Sequence, residues 1–205
     1  MKLSSMLEAC LRGGYTQVEN GGDFRFAWQG DRLWIYFAHS EGAVDWKNNL
    51  DFPAKASTGK EPPRLLAHRG FLRVWQSIEP YVAPAIADAR TKSVTVVGYS
   101  HGAALALLCF DYILRVRPTL KDTVFGYGFG CPRVLWGIPT KDTRAHFAHF
   151  TVIRALDDIV THLPPAALGY FHVGQMFEIG EKGKYSRIDA HRTENILAEL
   201  RRTED

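Results

Sequence analysis

The feature that most constrains the fold is a short β-branched run ending in a serine flanked by glycines. Ser93-Val94-Thr95-Val96-Val97 carries no charge and fits a strand buried on both faces. Gly98-Tyr99-Ser100-His101-Gly102, a G-x-S-x-G, follows directly, and then a helical apolar pattern from Ala103 to Val116 that Pro118 stops. A serine projecting from so tight a strand-to-helix turn has a strained backbone, crowded by neighbouring turns. Glycines two before and two after it remove the Cβ atoms that would clash. The helix N-terminus offers free N–H groups and the positive end of its dipole, so the His101 backbone N–H is a candidate donor to a developing oxyanion. A glycine-rich turn without chemistry is the competing reading. A phosphate-cradling loop is weaker, because no G-x-x-x-x-G-K-[ST] pattern is present.

The rest of the chain reads as alternating strands and helices. Residues 3–12 suit a short amphipathic helix ended by Gly13-Gly14. Residues 24–29 and 32–38, joined by Gly30-Asp31, suit a β-hairpin. Residues 39–66 are polar and irregular, and 71–89 suit a helix that Pro80 and Pro84 are expected to kink or end. Further strands are expected at 123–129, 149–155 and 173–179, the last pairing with 185–188, and a closing helix at 193–202. The alternation predicts an α/β fold with a mostly parallel central sheet and helices on both faces.

Composition narrows the class. The 205 residues suit one domain over 1–205 with a substantial core. Lys plus Arg is 25 and Asp plus Glu is 22, and an excess so small and scattered leaves no nucleic-acid footprint. Three cysteines (Cys10, Cys109, Cys131) are too few and too odd for a disulfide framework. The N-terminus lacks a signal-like apolar region, and no run approaches the roughly 18 apolar residues of a membrane span. The expectation is a cytoplasmic protein with reduced thiols.

Several motifs, in order, then resemble the class 3 lipases, the fungal-lipase-like branch of the α/β-hydrolases. Ile35-Tyr36-Phe37-Ala38-His39-Ser40 with Asp45-Trp46 is similar to that family's "FRGT…DW" segment, and His68-Arg69-Gly70-Phe71 to its "H-x-G-F". Val96–Ala106 is similar to "VTGHSLGGALA", and Tyr127–Val134 to "TFGSPRVG". Asp158–Pro165 is similar to "DIVPHLPP", and Gly169–Gly174 to the "G-[FY]-x-H-x-G" that follows it. The chain departs from the family at Ala38-His39, Tyr99 and His101, none of which supplies a triad side-chain atom.

The resemblance implies an α/β-hydrolase fold and a serine hydrolase acting on carboxylic acyl esters. Ser100 needs a histidine base, and the base a carboxylate to hold its tautomer. In this fold the chain order is serine, acid, histidine. The family match puts the acid at Asp158, directly before Ile159-Val160, with Asp157 as the alternative. The base is assigned to His191, before the last helix, with His172 as the alternative. Ser40, through its backbone N–H, joins His101 in the oxyanion hole. His146 and His149 lack the further ligands of a metal site, and neither cofactor nor metal is implied. The substrate implied is a small-molecule or lipid acyl ester, with transient contact at a membrane or lipid interface; the oligomeric state is left open. Residues 41–49, where a lid would lie, have only Val44 and Trp46 as sizeable apolar residues. That favours soluble or short-chain esters, or a phospholipid acyl ester, because interfacial lids need an apolar face. A non-catalytic lipase-like binding module is the alternative.

Overall fold

The computed structural model describes residues 2–18, 22–38, 54–56 and 65–204. Helix α1 (Leu3–Leu11) is followed by strands β1 (Thr16–Val18), β2 (Gly22–Gln29), β3 (Arg32–Phe37), β4 (Ala54–Ala56) and β5 (Leu66–His68). Helix α2 (Arg69–Ala87), β6 (Ser93–Tyr99), α3 (His101–Val116) and β7 (Val124–Phe129) come next. The chain ends with β8 (Leu135–Trp136), α4 (Lys141–His146), β9 (Phe150–Ala155), β10 (Tyr170–Phe171), β11 (Gln175–Ile179) and α5 (Thr193–Glu204).

The main sheet has the order β1-β2-β3-β6-β7-β9-β11. The β1–β2 and β2–β3 pairs are antiparallel, and each pair from β3 to β11 is parallel. Successive side chains on a strand point to opposite faces, so the sheet divides the core in two. Leu33, Ile35 and Phe37 of β3, with Val94 and Val96 of β6, pack with α2 and α3. Trp34 and Tyr36, with Val97 and Tyr99, pack on the other face with α1 and α5. The carboxyl ends of β3, β6, β7 and β9 thus open on one edge, where ligand sites of such sheets form.

Several expectations needed correction. Helix α2 runs through both Pro80 and Pro84 to Ala87. Both prolines lie on its exposed side, while Val74, Trp75, Ile78, Val82 and Ile86 bury the opposite stripe, which holds the helix across the lost backbone bonds. Residues 185–188 form no strand: β11 pairs in parallel with β9, and the polar, glycine-broken segment after it turns into the 3₁₀ turn Asp189–His191. Within the segment expected to be irregular, β4 and the first residue of β5 belong to a small antiparallel sheet of order β10-β8-β5-β4. Its strands have two or three residues, too few to display a period. The remainder of that segment lies outside the described residues.

Candidate active site

Ser100 sits between β6 and α3 with φ 55° and ψ −121°, a conformation L-residues rarely adopt. The flanking glycines allow it. A Cβ on Gly98 would stand 2.0 Å from the Gly102 carbonyl oxygen. A Cβ on Gly102 would stand 2.3 Å from the Phe37 oxygen and 2.5 Å from that of Ala38. The first turn of α3 therefore lies directly against the end of β3. The Ser100 N–H donates to Phe129 O at 2.9 Å, which ties the turn to β7.

The imidazole of His191 lies beside this serine. Its Nε2 is 2.8 Å from Ser100 Oγ, and its Nδ1 is 2.8 Å from Asp158 Oδ2. A carboxylate only accepts, so Nδ1 carries the proton and Nε2 presents its lone pair to the serine hydroxyl. Asp158 is fully buried, and its other oxygen accepts from the Val160 N–H at 2.9 Å. It follows β9, whereas His191 closes the 3₁₀ turn before α5. The three side chains thus come from three different segments at one edge of the sheet.

The alternatives are directed elsewhere. Asp157 Oδ2 accepts from the Gly183 N–H at 2.6 Å. His172 Nε2 donates to Thr161 O at 2.7 Å, and burial pushes its pKa down to about 4. His101 starts α3, where the first N–H groups have no intrahelical acceptor. Its ring is buried against Phe71, and burial pushes its pKa down to about 4, so the ring is neutral at pH 7. Ser40 lies outside the described residues. His146 Nε2 pairs with Asp111 Oδ1 at 2.8 Å.

Two residues near this cluster were not singled out as functional by the sequence. Gly130 has φ +56°, and a Cβ there would stand 2.8 Å from His191 Cε1 and 3.1 Å from Asp158 Oδ2. It lies inside the Tyr127–Val134 motif, which was its one signal. Tyr99, read as a departure from the family, stacks its ring on that of His191.

Comparison with known proteins gives this geometry its context. The family model for class 3 lipases matches residues 35–168. A lipase of Rhizomucor miehei is 29% identical over 160 residues, covering 72% of this chain and 41% of its own length. A secreted mono- and diacylglycerol lipase of Fusarium solani is 30% identical over 140 residues, covering 62% of this chain and 38% of its own. The chain therefore spans about two fifths of the length of these relatives. A solved triacylglycerol lipase, whose catalytic centre is described as a serine protease triad, superposes with a TM-score of 0.69. It is 24% identical, with 82% of this chain and 66% of that one covered. The shared architecture is the α/β-hydrolase fold.

The cytoplasmic location expected from the N-terminus and the thiols is corrected by these relatives. The Fusarium solani lipase is named as secreted, which runs against the cytoplasmic expectation. The three cysteines are all buried and unbridged. Buried thiols act as small hydrophobes shielded from oxidants, so their sparseness did not report a compartment. The match over residues 35–168, carried by a fold shared with solved lipases, makes this chain a member of the class 3 lipase family.

Proposed function

We propose that the chain hydrolyses carboxylic acyl esters, with Ser100 as nucleophile, His191 as general base and acid, and Asp158 as the group that orients His191. The observation that carries this reading is one imidazole bridging a buried carboxylate and a strained serine, with both contacts at 2.8 Å. In this mechanism Ser100 Oγ attacks the ester carbonyl carbon as its proton passes to His191 Nε2. The carbonyl electron pair moves onto oxygen, and the His101 and Ser40 N–H groups stabilise the oxyanion. Collapse expels the alcohol, which takes the proton from His191 and leaves an acyl-enzyme. Water, deprotonated by His191, then attacks the acyl carbon, and the tetrahedral adduct collapses as His191 returns that proton to Ser100 Oγ, releasing the acid and the free serine hydroxyl.

The substrate in this reading is a lipid or small-molecule acyl ester met at a lipid interface or in solution. The polar sequence of residues 41–49 favours soluble, short-chain or phospholipid esters over emulsified long-chain triglyceride. The test joins covalent labelling with a chain-length series. A fluorophosphonate is expected to modify wild-type protein at Ser100 and to leave Ser100→Ala unlabelled. p-Nitrophenyl esters are expected to be cleaved fastest at short chain lengths. Absence of labelling in the wild type would favour a non-catalytic binding module, and a strong preference for emulsified triglyceride would overturn the substrate assignment.

A further inference from the structure

We propose that Tyr99 is a positioning residue that clamps the proposed base, His191, from the same strand end that carries the nucleophile. This inference rests on the triad reading above.

Tyr99 is the last residue of β6 and directly precedes Ser100. Side chains alternate along the strand, so Val97 and Tyr99 share the face packed by α1 and α5, and Tyr99 is 5% exposed. From there it reaches His191 in two ways. Its phenol O–H donates to the His191 backbone carbonyl oxygen. Its ring lies on the imidazole with centroids 5.1 Å apart and planes 22° from parallel.

His191 needs such a clamp. Ser100 and Asp158 follow the rigid ends of strands, but His191 closes a short turn whose approach, residues 181–188, is mostly exposed. Asp158 fixes one ring nitrogen and the His191 N–H donates to Ile188 O at 3.1 Å within its own turn, which leaves the peptide's tie to the strand end and the ring plane to be set by something else. Tyr99 sets both. The hydrogen bond pins the peptide to the strand end, and the stacked face limits ring rotation. Nucleophile and clamp are adjacent residues, so a shift of the strand end moves them together. The aromatic face also meets the imidazolium that forms when the Ser100 proton is transferred, an arrangement that favours the cation. Burial, with Asp158 and Glu194 nearby, pushes the Tyr99 pKa up, so the phenol remains a donor at every working pH.

Tyr99→Phe keeps the ring and removes only the hydroxyl, and Tyr99→Leu removes the stacked face as well. Each is compared with wild type and His191→Ala by fluorophosphonate titration to completion and by kcat and KM on a soluble p-nitrophenyl ester. Tyr99→Phe is expected to reach the full labelled fraction with kcat lowered about three- to tenfold, the loss of one net hydrogen bond. KM should stay within about twofold, because substrate contacts are untouched. Tyr99→Leu should lose about 30- to 100-fold, as misplaced reacting groups do. Wild-type kcat in both variants would overturn the clamp and leave the triad reading standing. A smaller labelled fraction with normal kcat per labelled site would also overturn it, since that is a purely structural role. Failure of wild type to label, or wild-type labelling of His191→Ala, would overturn the triad reading and the clamp with it.

Discussion

Among the described residues, two aspartate–histidine pairs have the same 2.8 Å separation: Asp158 with His191, and Asp111 with His146. Their burial is nearly equal. The aspartate side chains are 0% and 4% exposed and the histidines 16% and 13%, so neither distance nor burial separates them. What differs is the nitrogen engaged and the third group. Asp158 takes Nδ1 and leaves Nε2 facing the Ser100 hydroxyl. Asp111 takes Nε2, and its second oxygen accepts from Arg115 Nε at 2.9 Å. In the proposed mechanism the first carboxylate aims a base; the second is shared between Arg115 of its own helix and His146, the contact that ties α3 to the end of α4. Position in the sheet agrees, because Asp158 follows the carboxyl end of β9 whereas His146 precedes its amino end.

The strongest way to break this contrast is to exchange each carboxylate for its amide. Asp158→Asn is expected to lower kcat by about 10⁴ through the wrong tautomer, with the fold intact. Asp111→Asn is expected to leave kcat within about twofold and to lower stability by about 2–3 kcal/mol, the scale of a lost charged hydrogen bond. Steady-state kinetics and urea unfolding on both variants check the pair of outcomes. Comparable losses of kcat from the two substitutions would mean that the third group does not distinguish the sites.

A smaller effect is expected at Gly130, whose missing side chain leaves room for the first pair. An added methyl would press within 2.8–3.1 Å of His191 and Asp158 on a backbone at φ +56°. Gly130→Ala should cost about 1–2 kcal/mol of stability from the left-handed conformation alone. It should also lower kcat by about tenfold or more by displacing the imidazole. Gly183, at φ +82° with nothing within 4 Å of its added Cβ, supplies the control. Gly183→Ala should show the stability loss without the kinetic one.

Ser100 was legible because three independent constraints coincide there: a buried-strand pattern, two glycines at fixed spacing, and a helix beginning at once. The sheet's parallel character was legible for a similar reason, since strands and helices alternate over much of the chain. Asp158 and Asp157 are neighbours with opposite directions, and only the fold shows the latter turned to the Gly183 N–H. His191 and His172 likewise separate by contacts 33 and 11 residues distant in sequence. Helix α2 misled because the average effect of proline was applied without knowing that both prolines lie on its solvent side. The small second sheet carries no periodic signal, and its pairing joins segments as far apart as β4 and β10. Tyr99 was read by its departure from a motif, which hid what its new chemistry contacts.

The gentlest test concerns a third kind of histidine, one whose charge is governed by burial. His101 has an ordinary pKa of 6.5 lowered to about 4 in the folded protein by desolvation. The unfolded chain therefore binds more protons between those values, and stability must rise with pH across that window. The contribution of His101 is fully present above pH 6.5 and is lost as pH falls toward 4. His172, lowered to about 4 by the same cause, adds to the slope. His101→Leu removes one of these protons while keeping an apolar ring-sized filler against Phe71. Its stability curve, from urea unfolding at several pH values between 7 and 4.5, should be flatter than wild type by about 1.4 kcal/mol per pH unit. Above pH 6.5 the two curves should run parallel. Equal slopes below that value would mean that the His101 imidazole takes up its proton without cost, and that burial against Phe71 is shallower than the packing implies.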